Sequence, residues 1–300
     1  MPGDLHGVLV VDKPRGPSSF GVVQEVRRVL GVRRAGHGGT LDPMASGVLP
    51  VCLGEGTKLA SFFLDADKEY DAEMLLGVAT DTYDALGAVV ETRDASGVTE
   101  HALRMSLRCF LGRIRQRPPA FSAIKQDGRP LYERARAGEV VQAPEREVEI
   151  HEIEVLEVAL PRVRLRVACS KGTYVRSLAD DIGRDLGVGA HLTALRRTRA
   201  GAFGLAHSVP LAEVGAAARD GRLPLLSPTE ALGHLPQARV EGELETRVRQ
   251  GKALCGRDLG SPRPGVFAVV NAGGHLVAVA EAPADPARRV TLLRGFNYGR

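Results

Sequence analysis

The chain has no tryptophan, and only eight Phe and five Tyr in 300 residues. Sugar-stacking clefts and methyl-lysine cages need several aromatic walls, so neither is expected, and each tyrosine is worth examining. Cysteine is equally sparse: Cys52, Cys109, Cys169 and Cys255 lie far apart with no C-x-x-C pair, which suggests neither a zinc site nor a disulfide framework. The eight histidines include no H-E-x-x-H, so no metal is expected. Phosphate loops are missing too. Gly54-Glu-Gly-Thr-Lys58 lacks the G-x-x-x-x-G-K-[ST] spacing, and no nucleotide or other cofactor is implied. Ser122-Ala-Ile-Lys125 matches S-x-x-K without the companion sequences that serine acylation requires. No apolar run approaches the roughly 18 residues of a membrane helix. The opening residues place Asp4 where a leader needs positive charge, so a cytoplasmic protein with no membrane partner is expected.

What is abundant is arginine. Only six of the 40 basic residues are lysine. They oppose 36 acids, and the resulting net charge of +4 is unevenly placed. Residues 1–230 balance, and the whole surplus lies from position 231 onward. Within the neutral part, positions 60–100 hold ten acids against two bases, and 101–138 hold nine bases against two acids. Blocks of this kind suit a polyanion met by particular surfaces rather than by a diffuse field.

Gly7-Val-Leu-Val-Val11 has strand character. Ser18 or Ser19 then caps a helix to Leu30, with Phe20, Val23, Val26 and Leu30 on one face and Gly31 as terminator. Strands are expected at 47–53, 69–76, 147–156 and 162–169, and helices at 57–64, 101–111, 130–137 and 173–186. The alternation is too irregular for evenly spaced βαβ units. It predicts an α+β fold around a mixed or antiparallel central sheet flanked by helices. Beyond a proline-rich stretch near 222–236, glycine-punctuated apolar runs at 265–270, 276–280 and 290–293 read as a small all-β module.

Between these elements lies the loop Ala35-Gly-His-Gly-Gly-Thr-Leu-Asp-Pro-Met-Ala-Ser-Gly47. Four glycines and a proline surround one carboxylate, Asp42. Pro43 holds Asp42 away from helical geometry, and Gly38 and Gly39 let a bulky ligand approach the backbone. An Asp-Pro pair is most often a plain turn initiator. The same carboxylate could also serve as a nucleophile in glycosyl chemistry.

Several long segments in order then carry a resemblance to the TruB family of RNA pseudouridine synthases, its bacterial tRNA-modifying branch in particular. They are Val11–Ser19, Gly36–Pro43, Gly54–Lys58, Asp67–Tyr70, Thr80–Asp84, Pro118–Lys125 with Leu131–Gly138, Cys169–Gly183 and Leu195–Gly201. The resemblance implies a catalytic domain at 1–232 with an RNA-gripping thumb at about 116–146, and a PUA-like RNA-binding domain at 233–300. It makes Asp42 the catalytic nucleophile or base, with Tyr70 and Arg176 as its catalytic partners. His37, Lys13, Lys58, Asp84, Tyr174, Leu195 and Lys125 become substrate-binding residues. The implied partner is the T loop of tRNA, whose uridine 55 is flipped out and isomerised by a monomer without any cofactor. An RNA-guided ribonucleoprotein enzyme and a non-enzymatic RNA-folding protein are the alternatives. The sequence departs from the family pattern at Gly38, where threonine is usual, and at Phe121, where tyrosine is common.

Overall fold

A computed structural model of the chain describes residues 5–122, 124–126, 128–260 and 262–298, and the side chains of all of these except Lys125 and Arg136. Asp4, which bears on the leader reading, lies outside them. The described residues form an eleven-stranded sheet and a separate four-stranded sheet, besides two small hairpins. In the large sheet the order runs Val209–Pro210, Gly7–Lys13, Ser46–Leu53, Ala190–Ala200, Lys68–Leu76, Arg162–Cys169, Arg146–Ala159 and Gly112–Gln116. Ala190–Ala200 runs parallel to Ser46–Leu53 and antiparallel to Lys68–Leu76, so the sheet is mixed and the fold is α+β.

Period-two alternation explains the central strands. In Lys68–Leu76 the even-numbered residues Lys68, Tyr70, Ala72, Met74 and Leu76 are buried, while Glu69, Asp71 and Glu73 turn to the other face. There they meet arginines of the neighbouring strands: Arg166 Nε lies 3.1 Å from Asp71 Oδ1, and Arg162 Nη1 3.1 Å from Glu73 Oε1. Part of the acidic 60–100 block is thus cross-strand pairing. The basic 101–138 block is also partly neutralised: Arg104, Arg113, Arg117 and Arg134 all lie beside glutamates.

The first helix, Ser19–Leu30, is capped by the Ser18 hydroxyl, which accepts from the Gly21 N–H at 3.0 Å, and ends at a left-handed Gly31. Its buried stripe is Ser19, Val22, Val23, Val26 and Leu30. Phe20, expected inside, is 66% exposed, because Ser19 occupies the inward position against the Asp42 loop. The Val175–Asp185 helix buries Val175, Leu178 and Ile182 as the spacing requires.

The four-stranded sheet consists of Gln237–Val240, Gly265–Asn271, Leu276–Ala282 and Thr291–Gly295. This region is not all-β. A helix at Gly242–Arg249 supports it, with Val248 buried, acids in its first turn and arginines in its last. So few apolar positions concealed that helix in the sequence. The two sheets share a hydrophobic cluster. Val8, Val10, Val48 and Cys52 from the large sheet pack with Leu232, Ala268, Val270, Leu276 and Phe296, while Leu9 and Val11 face the main core. The apolar run at Gly7–Val11 is therefore a strand buried on both faces.

Candidate active site

The Asp42 loop is fixed from several sides by backbone bonds. Ser19 Oγ accepts from the Leu41 N–H at 2.7 Å and donates to the Leu41 carbonyl at 3.0 Å. The Ala45 N–H donates to the Asp42 carbonyl at 3.0 Å, and the Gly16 N–H to the Pro43 carbonyl at 2.8 Å. The Asp-Pro pair does start a turn, and that turn presents the carboxylate. Beneath it lies Arg197, 1% exposed, whose guanidinium donates to the carbonyls of Val48 (2.7 Å), Gly39 (3.1 Å) and Thr40 (3.3 Å). Gly47 closes the loop with φ +103°, where a Cβ would stand 2.1 Å from the Arg197 carbonyl.

Asp42 faces Arg176, the second residue of the Val175–Asp185 helix. Arg176 Nε donates to Asp42 Oδ2 at 2.8 Å. Its Nη1 donates to the Thr82 carbonyl at 2.9 Å and lies 3.7 Å from Asp84 Oδ2, and its Nη2 donates to the Phe121 carbonyl at 3.0 Å. The Arg176 side chain is 3% exposed and that of Asp42 29%, so the pair is open only on the carboxylate's side. Asp42 Oδ1 has no partner among the described residues. Because Phe121 contributes a carbonyl, its departure from tyrosine leaves this contact intact. At Gly38 a Cβ would stand 2.5 Å from Phe63 Cβ, so the usual threonine does not fit here.

Asp42, Tyr70, Arg176, Tyr174 and Leu195 line one cavity of about 260 Å³, together with Lys68, Arg146, Arg197 and the Ser170–Val175 turn. Tyr70 is buried in the strand row between Arg197 and Val167. Burial pushes its phenol above the ordinary range, with Arg197 pulling the other way more weakly. Tyr174 is held through its backbone by the fully buried Gln116, which donates to its carbonyl at 3.0 Å and accepts from its N–H at 2.8 Å. Lys68 Nζ donates to the carbonyls of Leu64, Phe63 and Ala66, and burial pushes it down to about 8.

Four expected substrate contacts are not brought into this cavity. Lys13 is fully buried behind the loop, donating to the carbonyls of Ala45 (2.6 Å) and Pro14 (3.0 Å), and burial pushes it down to about 8. Through the Ala45 carbonyl it pins the Asp42 turn from behind. Lys58 pairs with Glu55 at 2.5 Å and donates to the Gly295 carbonyl at 2.8 Å, so it stitches the two sheets together. Asp84 lies behind Arg176, 5% exposed, accepting from Thr82 Oγ1 and the Leu86 N–H. His37 is half-buried beside the loop, with Nδ1 3.4 Å from the Gly39 nitrogen; burial and then Arg197 push it down. The Lys125 side chain lies outside those described. Sequence reasoning missed Arg197, Lys68, Arg146 and Gln116. Arg197 was accessible through Leu195: once 190–200 is a strand, residues two apart share a face.

Residues 27–175 match the N-terminal domain of TruB family pseudouridylate synthase, and residues 176–232 match the tRNA pseudouridylate synthase B C-terminal domain. The chain is 48% identical over 284 residues to tRNA pseudouridine synthase B of Burkholderia pseudomallei strain 668, covering 93% of each chain. It is 49% identical over 252 residues to the Aromatoleum aromaticum protein of the same name, covering 84% of this chain and 82% of that one. Among solved structures, an H/ACA ribonucleoprotein bound to a substrate RNA containing 2′-deoxyuridine matches with a TM-score of 0.75 at 30% identity, covering 97% of this chain and 85% of that one.

Proposed function

The chain belongs to the TruB family of pseudouridylate synthases, and from that premise we propose that it isomerises uridine 55 in the T loop of tRNA to pseudouridine. The observation that carries the mechanism is the Asp42–Arg176 pair at the mouth of a cavity with Tyr70 on its wall. A uridine inside a folded RNA must be flipped out before any group can reach its sugar. The N1–C1′ bond then breaks, the uracil turns, and a C5–C1′ bond forms; C5 loses a proton and N1 gains one. The product has the mass of the substrate, and no electrons are exchanged.

Arg176 holds Asp42 by Oδ2 and leaves Oδ1 without a partner among the described residues, as both attack on C1′ and removal of a C2′ proton require. Tyr70 supplies a stacking face for the uracil, and its upward-shifted phenol stays protonated, able to donate as the base turns. Leu195, 7% exposed, supplies apolar surface beside it, and the enclosed walls limit competing water.

In this reading residues 1–232 perform the chemistry, with 116–146 gripping the RNA as a monomeric enzyme in the cytoplasm. Residues 233–300 add a second RNA contact: Arg239, Lys252, Arg257, Arg263 and Arg289 have no acidic partner among the described residues. The identity to tRNA-modifying relatives, well above that to the ribonucleoprotein structure, favours tRNA over a guided substrate.

The test is mass spectrometry of T-loop fragments after incubation, using a reagent that derivatises pseudouridine because the isomerisation changes no mass. Asp42→Asn should bind the RNA normally and form essentially no pseudouridine. A single-turnover loss below about tenfold would remove Asp42 from the central role.

A further inference from the structure

Arg146 opens the Arg146–Ala159 strand and pairs in register with Gln116. Its neighbours Glu145 and Glu147 engage Arg117 at 2.8 Å and Arg113 at 3.7 Å on exposed surface. Strand alternation sends Arg146 the other way, into the wall of the Asp42 cavity. There its guanidinium lies over the Tyr174 ring, with Cζ 4.8 Å from the ring centroid. The backbone at Gly172 passes against it; a Cβ there would stand 3.4 Å from Cζ. No carbonyl, hydroxyl or carboxylate among the described residues accepts from Arg146, and its Nε is buried without a partner.

The other cations of the cavity are committed. Arg176 serves two carboxylates and two carbonyls, Arg197 three carbonyls and Lys68 three carbonyls. Against these four cations the lining offers one carboxylate, Asp42. A planar fork with unused donors in a cation-rich wall suits a phosphodiester better than a neutral carbonyl.

We propose that Arg146, held flat by Tyr174, is a binding subsite for the phosphate adjacent to the flipped uridine. The inference rests on reading the cavity as the uridine site. Gln116 links the subsite to the thumb, because one side chain joins the root of that segment to the Tyr174 backbone. Anchoring a neighbouring phosphate fixes the sugar, and with it the distance from C1′ to Asp42.

The experiment compares wild type, Arg146→Met, Arg146→Gln and Arg146→Lys on a T-arm RNA hairpin. One version has natural linkages, and others carry a single uncharged methylphosphonate 5′ or 3′ to the target uridine. Affinity is measured across a potassium chloride series, and pseudouridine formation in single turnover, with circular dichroism to establish folding. Removing one charge-assisted contact should weaken binding of natural RNA about 10- to 100-fold in the Met and Gln variants. The slope of log affinity against log salt should become shallower by about 0.7, and Arg146→Lys should retain most of it. At one of the two methylphosphonate positions, wild type and Arg146→Met should bind alike. The proposal fails if the folded variants lose only rate with unchanged salt slope, which would leave Arg146 as a support for Tyr174. It fails equally if the losses from variant and methylphosphonate add at both linkages. Tight binding by wild type with no pseudouridine formed would count against the activity alone, since the binding arms decide the phosphate contact separately.

Discussion

Replacing Arg176 with methionine should separate what holds the site together from what makes it work. The guanidinium joins Asp42, Asp84 and two carbonyls, and it is the only cation within 4 Å of the Asp84 carboxylate among the described residues. Asp84 has a side chain 6% exposed, so Arg176→Met strands a buried charge. Orphaning one member of such a pair costs about 3–5 kcal/mol. In a protein of this size each kcal/mol lowers the melting temperature by about 2–4 °C, so a fall of about 6–20 °C is expected. Adding Asp84→Asn removes the stranded charge and should restore at least ~2 kcal/mol of the loss, a coupling readable from a double-mutant cycle. Activity should not follow. Both variants leave Asp42 unoriented, and single-turnover pseudouridine formation should stay about 10²- to 10³-fold down. Thermal and urea melts followed by circular dichroism give the first quantity, and derivatised T-loop RNA the second. A single variant melting like wild type, or a double variant that regains activity along with stability, would refute the reasoning.

Tyr70→Phe should keep the stacking face and lose the donor, lowering single-turnover rate about 10²-fold or more, with Tyr70→Leu lower still; full activity in the Phe variant would leave only the stacking role. Gly38→Thr should destabilise by about 1–3 kcal/mol, because the new Cβ meets Phe63 Cβ at 2.5 Å, and an unchanged melting temperature would show that the loop yields. Asp180 supplies the pH test. Burial pushes its carboxyl up from 3.8 to about 6 despite Arg184, so between those values the folded form holds a proton that the unfolded chain releases. Its contribution to stability therefore falls as pH rises through that window. Asp180→Asn should gain on wild type in melting temperature from pH 4 to pH 7, and parallel curves would refute the assignment.

The sequence was most legible where a physical signal is local. Ser18 and Gly31 bracket a helix through its own orphan donors and acceptors, and Val163, Leu165 and Val167 announce a strand by alternation alone. Asp42 and Arg176 are 134 positions apart, and only the family pattern united them. Less legible was whatever depends on what lies across the sheet. The central Ala190–Ala200 strand, absent from the expected strands, carries arginines at 196, 197 and 199, and the role of Arg197 emerges only when the Asp42 loop supplies its carbonyls. The placement of Lys13, expected among the substrate-binding residues, likewise depends on a distant segment. A lysine's role as a carbonyl clamp is invisible until Ala45 folds back over it.

The cluster shared by the two sheets makes the C-terminal segment part of how the rest of the chain folds. Val8 and Val10 lie in the same strand as Leu9, which faces the main core, and across the seam the Asn297 N–H donates to Glu55 at 2.8 Å. Cutting near Pro236 would expose the outer side of that strand to water, so a shortened chain should aggregate before its catalytic rate can be compared. For the same reason this segment cannot be exchanged like a cartridge. A hybrid carrying a foreign C-terminus must bring its own counterparts of Val270, Leu276 and Phe296, or the graft has no socket.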